Sequence, residues 1–286
     1  MNVELANAYW TSAGPVEVHA GKEWSDFDFA DRCAEAARAG FAGLGLWHSD
    51  IEHQLPKRSL RDMRRILDDN GVRCFELEFL MDWFLDEGDE ARQAADRTRA
   101  MLFEAANELD AHHIKAGNIP GHECEAGRLH EAYAALVEDA AGHTSTPVLY
   151  EFMPFDANVK SIESALALID GVPNTGLVID TWHMAKLGIA PEDLRKIPLE
   201  QLGWIELSDG QVENMEDPVD ETVNHRRLPG EGEFDIRGYV EVGLDMGYSD
   251  VWGVEVLSQE LRSYPLDEMY RRTYQAAAAQ FEAVTA

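Results

Sequence analysis

Three cysteines in 286 residues, Cys33, Cys74 and Cys124, are too few, odd in number and wrongly spaced for a disulfide framework or a thiolate zinc site. They read as small buried hydrophobes. Lysine is also scarce, at six of 24 basic residues against 54 acidic ones, and the formal charge is −30. A surface of that sign repels a phosphate backbone, which argues against nucleic acid as a partner. Acid excess with few lysines also suits a high-salt habitat, where screening suppresses self-repulsion. No run of about 18 apolar residues occurs, so no membrane partner is expected. Met1 to Glu4 lack the basic start and apolar run of a signal peptide, and a cytoplasmic location is the expectation. Repeats, low-complexity tracts and Pro/Gly-rich linkers are missing too, so residues 1–286 are expected to form one domain.

What is present is an alternation of short apolar runs with helical stretches, the pattern of parallel strands joined by helical crossovers. Eight runs stand out: Val3 to Tyr9, Phe41 to Trp47, Val72 to Phe79, Ala111 to Ala116, Val148 to Glu151, Gly176 to Asp180, Gly203 to Leu207 and Val251 to Leu257. Eight strands with intervening helices in a chain of this length predict a (β/α)₈ TIM barrel. The first long helix is expected over Phe27 to Arg38, with Phe29, Cys33 and Ala37 on one face, a cap from Ser25 with Asp28, and a stop at Gly40. The last is expected from about Leu266 to Phe281, with Met269, Thr273, Ala276 and Gln280 in one stripe and Pro265 near its first turn. Ser208 to Phe234 is polar and too long for an ordinary link; after the seventh strand it belongs on the catalytic rim and suits a partial lid.

Active sites of such barrels gather at the carboxyl ends of the strands. Strand five ends in Glu151, strand six in Asp180 before Thr181-Trp182-His183, and strand eight carries Glu255 between Val254 and Val256. Carboxylates are seldom buried without a partner, so three converging on one mouth imply a cation or a tightly held polar ligand. The alternative for any single one is a rim acid paired with arginine. All-oxygen ligands put Mn²⁺ or Mg²⁺ ahead of Zn²⁺, with Co²⁺ as a further alternative.

At these residues the sequence resembles the xylose-isomerase-like barrels, a superfamily of sugar isomerases and epimerases that includes D-tagatose 3-epimerase, hydroxypyruvate isomerase and inosose dehydratase. The resemblance spans nearly the whole chain. Its most specific pieces are Asp180-Thr181-Trp182-His183, matching Asp-x-x-His after strand six, and Arg226-Arg227-Leu228-Pro229-Gly230-Glu231-Gly232, matching Arg-x-x-Pro-Gly-x-Gly. It implies that Glu151 and Glu255 bind metal and also shuttle protons, and that His183 and Arg226 touch substrate oxygens. At strand seven the family usually offers His, where this chain has Glu206. Four carboxylates on one divalent ion leave about two negative charges uncompensated. Either a cation such as Arg226 offsets them or Glu206 is not a ligand, with His183 or His225 completing the shell.

Lys115, ending strand four, reads as a substrate contact, or as a Schiff-base former in a dry site. His48 with Asp50 and His53 can line the mouth or form a surface cluster. Trp10, Trp47 and Trp182 read as rim packing and then as platforms for a sugar face. The chemistry these residues permit is removal of a proton next to a carbonyl, with Glu151 and Glu255 as the two bases. The resemblance implies an isomerase or epimerase acting on a small sugar-like substrate, with a lyase second. An apurinic-endonuclease-like activity and a silent binding subunit are the readings from other classes. A homo-oligomer is compatible with all of them.

Overall fold

A computed structural model describes residues 3–19, 21–119 and 122–285. Eight strands are present: β1 Leu5–Asn7, β2 Gly43–Trp47, β3 Arg73–Leu80, β4 His113–Ala116, β5 Val148–Glu151, β6 Thr175–Asp180, β7 Leu202–Leu207 and β8 Trp252–Val254. Each pairs in parallel with its sequence neighbours, and β8 returns to β1, so the sheet closes into a barrel in chain order. The helices are α1 Tyr9–Ser12, α2 Phe29–Ala39, α3 His48–Gln54, α4 Leu60–Asn70, α5 Glu90–Leu109, α6 Ala126–His143, α7 Ile162–Ile169, α8 Thr181–Lys186, α9 Pro218–Asn224, α10 Ile236–Met246, α11 Gln259–Arg262 and α12 Leu266–Thr285. The expected (β/α)₈ TIM barrel is therefore the observed fold. No helix among the described residues is long and apolar enough to cross a membrane.

Strands buried on both faces read as apolar runs because helices cover one side and the barrel interior fills the other. Leu44, Leu46, Leu77, Ile114, Tyr150, Leu177, Ile205 and Val254 face the helix layer and join its core. Inside the barrel, Ala6, Phe75, Leu149, Val178, Trp204 and Val251 form a separate apolar plug. Successive side chains alternate across a strand, so two residues beyond Leu149, Val178 and Trp204 the interior receives Glu151, Asp180 and Glu206. The acids thus stand on an apolar floor. A third cluster of Tyr9, Trp10, Val16, Val18, Trp47, Phe79, Met153, Val223 and Leu257 walls the mouth above them.

Element ends differ from the sequence expectations for visible reasons. Helix α2 starts at Phe29 because Asp28 is itself the cap, accepting from the Ala30 N–H. Ser25 instead accepts from the Phe27 N–H and donates its backbone N–H to Asp50. The stop at Gly40 is as expected, in the left-handed conformation at φ 111°. Strand β8 ends at Val254, where the chain leaves the ladder: the Val256 N–H goes to the Thr11 hydroxyl, 2.8 Å away. Helix α12 runs on to Thr285, with Met269 and Thr273 fully buried and Ala277 more buried than Ala276. Ser208 to Phe234 is not wholly irregular: α9 lies within it, and isolated bridges join Asp209 to Arg227 and His225 to Ser258.

Candidate metal centre and catalytic mouth

The register of the barrel brings the late-strand acids together. Asp180 and Glu206 are direct partners across β6 and β7, and Glu206 faces Gly253 across β7 and β8. A Cβ at Gly253 would lie 2.6 Å from the Trp204 indole nitrogen and 2.8 Å from Glu206 Cγ, so only glycine leaves room for this acid. Glu151, Asp180, Glu206 and Glu255 are all buried, and one oxygen from each lies within 4.8 Å of the other three. Glu151, Asp180 and His183 form a second, overlapping group of the same compactness. Asp180 caps α8 by accepting from the Trp182 N–H at 2.7 Å, and His183 follows one turn later on the same face. Its Nε2 sits 3.5 Å from Glu151 and 3.8 Å from Asp180.

Two buried cations hold this cluster. Arg226 Nη1 donates to Asp180 at 2.6 Å and to Glu255 at 3.2 Å, while its Nε and Nη2 are fixed by the carbonyl and hydroxyl of Thr222. The guanidinium lies over the Trp182 ring, 5.0 Å from its centroid. Lys115 is fully buried, and its Nζ lies 2.8 Å from Glu206, 3.3 Å from Glu255 and Glu76, 3.8 Å from Glu78 and 3.9 Å from Glu151. Burial alone would lower its pKa, but the fields of Glu151, Glu206, Glu255 and Glu76 outweigh it and hold the ammonium well above the ordinary lysine range. A charged ammonium is a poor nucleophile, so this setting disfavours the Schiff-base alternative.

The same geometry raises the acids. Burial pushes Glu76 up to about 8, with Lys115 opposing and Glu78 reinforcing the shift. Glu151, Glu206 and Glu78 are likewise lifted well above the usual carboxylate range, chiefly by burial and only partly countered by Lys115. Burial, reinforced by Arg226, lowers His183, which favours a neutral imidazole able to ligate or to accept a hydrogen bond.

Among the described residues, the lysine and arginine that pair with these six buried carboxylates are Lys115 and Arg226, and the Oε1 of Glu151 has no hydrogen-bond partner. A divalent cation fits both facts: it supplies the missing positive charge and a partner for the orphaned oxygen. Glu206 has both oxygens engaged, Oε2 on Lys115 and Oε1 accepting from the Trp204 indole at 3.1 Å, as do Asp180 and Glu255 through Trp182, Lys115 and Arg226.

The cavity above the cluster holds about 160 Å³ and reaches Glu78, Glu151, His183, Arg226 and Glu255 at its base. Trp10, Trp47, Phe79, Met153, Phe155 and Leu257 are among its walls. That volume matches a single six-membered ring, since an engineered pocket of about 150 Å³ binds benzene.

Other sequence candidates lie elsewhere. Lys115 is beneath the carboxylates and is not part of the cavity wall. His48 stands behind Trp47, its Nδ1 3.3 Å from the Glu78 carbonyl, and also lies outside the wall. Asp50 is buried against Arg32, and His53 stacks on Trp24, so those two form structural contacts and do not line the mouth. Trp182 supports Arg226 from behind, and His225 pairs with Asp220 on the surface, far from completing a metal shell. Glu76 and Glu78 on β3 were not anticipated. The signal was present as two acids with period-two spacing inside an apolar run, which puts both on the interior face. Gly45 makes the space: a Cβ there would lie 2.2 Å from a Glu76 oxygen.

A closed parallel barrel with buried acids gathered at the carboxyl ends of β5 to β8 is a (β/α)₈ protein whose mouth suits a divalent metal. The chain belongs to the xylose isomerase-like TIM barrel family, whose model matches residues 33–279. It is 25% identical over 238 residues to a 3-dehydroshikimate dehydratase of Pseudomonas aeruginosa, covering 80% of this chain and 36% of that one. The chain therefore spans about a third of the length of that relative. An inosose isomerase of Bacillus licheniformis is 28% identical over 99 residues, 34% of each chain. Among solved structures, the IOLI protein with a bound zinc atom superposes with a TM-score of 0.80 at 17% identity, covering 98% of this chain and 99% of that one.

Proposed function

We propose that the protein uses one divalent metal ion to move protons next to the carbonyl of a small sugar-like or keto-cyclic substrate, acting as an isomerase or epimerase. The observation that carries this reading is that Glu151 and Glu255 each belong both to the compact oxygen cluster and to the cavity wall. A bound metal, by its charge, would polarise the carbonyl and stabilise the enediolate formed when the α-proton leaves. The oxygens of Glu151, Asp180 and Glu255 would hold it, with Glu206 and His183 in reach, and an oxygen-rich set favours Mn²⁺ or Mg²⁺. Burial raises Glu151 above the usual carboxylate range, and the positive charge of a bound metal would lower it again toward the ionised form a base requires. Glu151 takes the proton from one side and Glu255 delivers one from the other. Arg226 and neutral His183 orient the substrate oxygens, and the aromatic walls exclude water.

A lyase is the second reading, favoured by the dehydratase relative that aligns with 80% of the chain. Two probes test the shared first step: D-fructose and 3-dehydroshikimate, each incubated with the Mn²⁺-loaded protein in D₂O. Loss of the α-proton signal by NMR is expected with at least one probe and is expected to vanish in Glu151→Gln and Glu255→Gln. Absence of exchange with both probes would refute the reading.

A further inference from the structure

Glu78 shares Lys115 with the other acids of the mouth but does not belong to the compact oxygen cluster of Glu151, Asp180, Glu206 and Glu255. In a barrel closed in chain order, β3 lies across from β7, so Glu78 faces the cavity from the side opposite the cluster on β5 to β8. It is 2% exposed, and its Oε1 has no hydrogen-bond partner. The nearest cation, Lys115, is 3.8 Å away, too far for a hydrogen bond and already engaged with Glu206 at 2.8 Å. Its neighbours on the wall, Trp47 and Phe79, are apolar. Leaving a buried carboxyl oxygen unpaired costs on the order of 1–3 kcal/mol, and such costs gather at functional sites.

We propose that Glu78 is a third proton-transfer residue of this mouth, handing a proton to an oxygen that leaves the carbon β to the substrate carbonyl. The proposal rests on the enolisation reading above and extends it. Moving a proton between two carbons, or between two faces of one carbon, needs only Glu151 and Glu255. Elimination needs one more group. When a base removes the α-proton, the electron pair of that C–H bond becomes the new C=C bond and the β C–O bond breaks with its pair on oxygen. The departing hydroxyl is a poor leaving group until it is protonated; a proton from Glu78 converts it to water, and Glu78 is left as a carboxylate to be reprotonated before the next turnover. Burial raises Glu78 above the usual carboxylate range, which favours the protonated form that a donor requires. The chemical class of substrate that uses all three acids is a β-hydroxy ketone on a ring small enough for the cavity.

The test compares Glu78→Gln and Glu78→Asp with the unaltered protein, all Mn²⁺-loaded, on the same two probes. NMR in D₂O reads α-proton exchange, and ultraviolet absorbance reads the conjugated product of water loss from 3-dehydroshikimate. Glu78→Gln is expected to lower the ratio of elimination to exchange by about 10²-fold or more, and Glu78→Asp to recover part of that ratio. Equal loss of exchange and elimination in Glu78→Gln, with no recovery in Glu78→Asp, would reduce Glu78 to a support for Lys115 and overturn the proposal. So would unchanged elimination in Glu78→Gln, or exchange without elimination in the unaltered protein. No exchange by the unaltered protein with either probe is the separate failure of the enolisation reading, and it removes the proposal as well.

Discussion

Lys115 is the residue whose removal has the most calculable consequence. It is fully buried, and its ammonium serves five carboxylates of which Glu206 is nearest at 2.8 Å. Lys115→Met keeps most of the side-chain volume and deletes the charge. Removing one partner of a buried ion pair costs about 3–5 kcal/mol, because the other partner stays behind uncompensated. At about 2–4 °C per kcal/mol for a domain somewhat smaller than this one, the melting temperature should fall by roughly 6–20 °C. The loss should also depend on pH. Burial gives Glu76 a folded-state pKa of about 8, above its ordinary 4.5, so the folded protein binds the extra proton and is stabilised below about 4.5, and that stability is lost as pH rises toward about 8. Without Lys115 the slope steepens, since the cation that opposes the rise of Glu76 is gone and Arg226 pairs with Asp180 and Glu255 instead. Melting curves in chelator should converge near the acid end of that window and diverge toward its upper end. In Lys115→Met/Glu206→Gln both members of the closest pair are gone, and part of the loss should return as a coupling energy. A melting temperature for Lys115→Met within about 2 °C of the unaltered protein across the whole pH window, against the roughly 6 °C minimum expected here, would refute the ion-pair reasoning.

Glu255→Gln should retain the fold and measurable Mn²⁺ binding while turnover drops about 10²-fold or more, checked by calorimetry beside the exchange assay. Arg226→Ala should weaken substrate binding and also loosen the cluster, because Nη1 spans Asp180 and Glu255 at 2.6 and 3.2 Å; a rise in KM with lowered Mn²⁺ affinity is the expected pair of results. Glu206→His combined with Lys115→Met swaps an ammonium–carboxylate pair for a neutral nitrogen donor, and calorimetric titration should show a shift of preference from Mn²⁺ toward Zn²⁺. An unchanged preference would mean that position 206 does not face the ion. Saturating Mn²⁺ should raise the stability of the chelated protein by about 2.7 kcal/mol at a concentration of 100 Kd, read as a rise in melting temperature.

Much of the barrel was legible because parallel strands buried on both faces leave unbroken apolar runs, and Val148 to Glu151 was delimited to the residue. The weak places were those where hydrogen bonds made outside the ladder set the boundary. Strand β8 stops at Val254 because Thr11, more than 240 positions earlier, takes the Val256 N–H. The acids at the tips of β5, β6 and β8 could be read because an ionisable group ending an apolar run is conspicuous. Glu76 and Glu78 were passed over because they lie within a run, where periodicity shows which face they share but not what meets them. Lys115 was visible and its role was not: a lone lysine at a strand end looks like a ligand contact until the other strands bring Glu206 and Glu255 to it.

The segment after β7 is tied down at its two roots, and the exposed stretch between them is held more sparsely, through Lys186 to Asn214, Val212 to Glu233 and Met215 to Glu221. Asp209 bridges to Arg227 and its carboxylate collects the N–H groups of Gly210, Gly230, Gly232 and Phe234, while His225 bridges to Ser258. Arg226 is therefore seated by the roots and does not ride on the exposed stretch of residues 211–219. Yet Val219, Thr222 and Val223, at and just past the end of that stretch, reach the cavity wall. The arrangement separates what evolution or a designer can vary from what must stay. Exchanges at Val219 and Val223 can reshape the cavity wall without touching the residues of the oxygen cluster, so under the function proposed above they are a route to altered substrate preference.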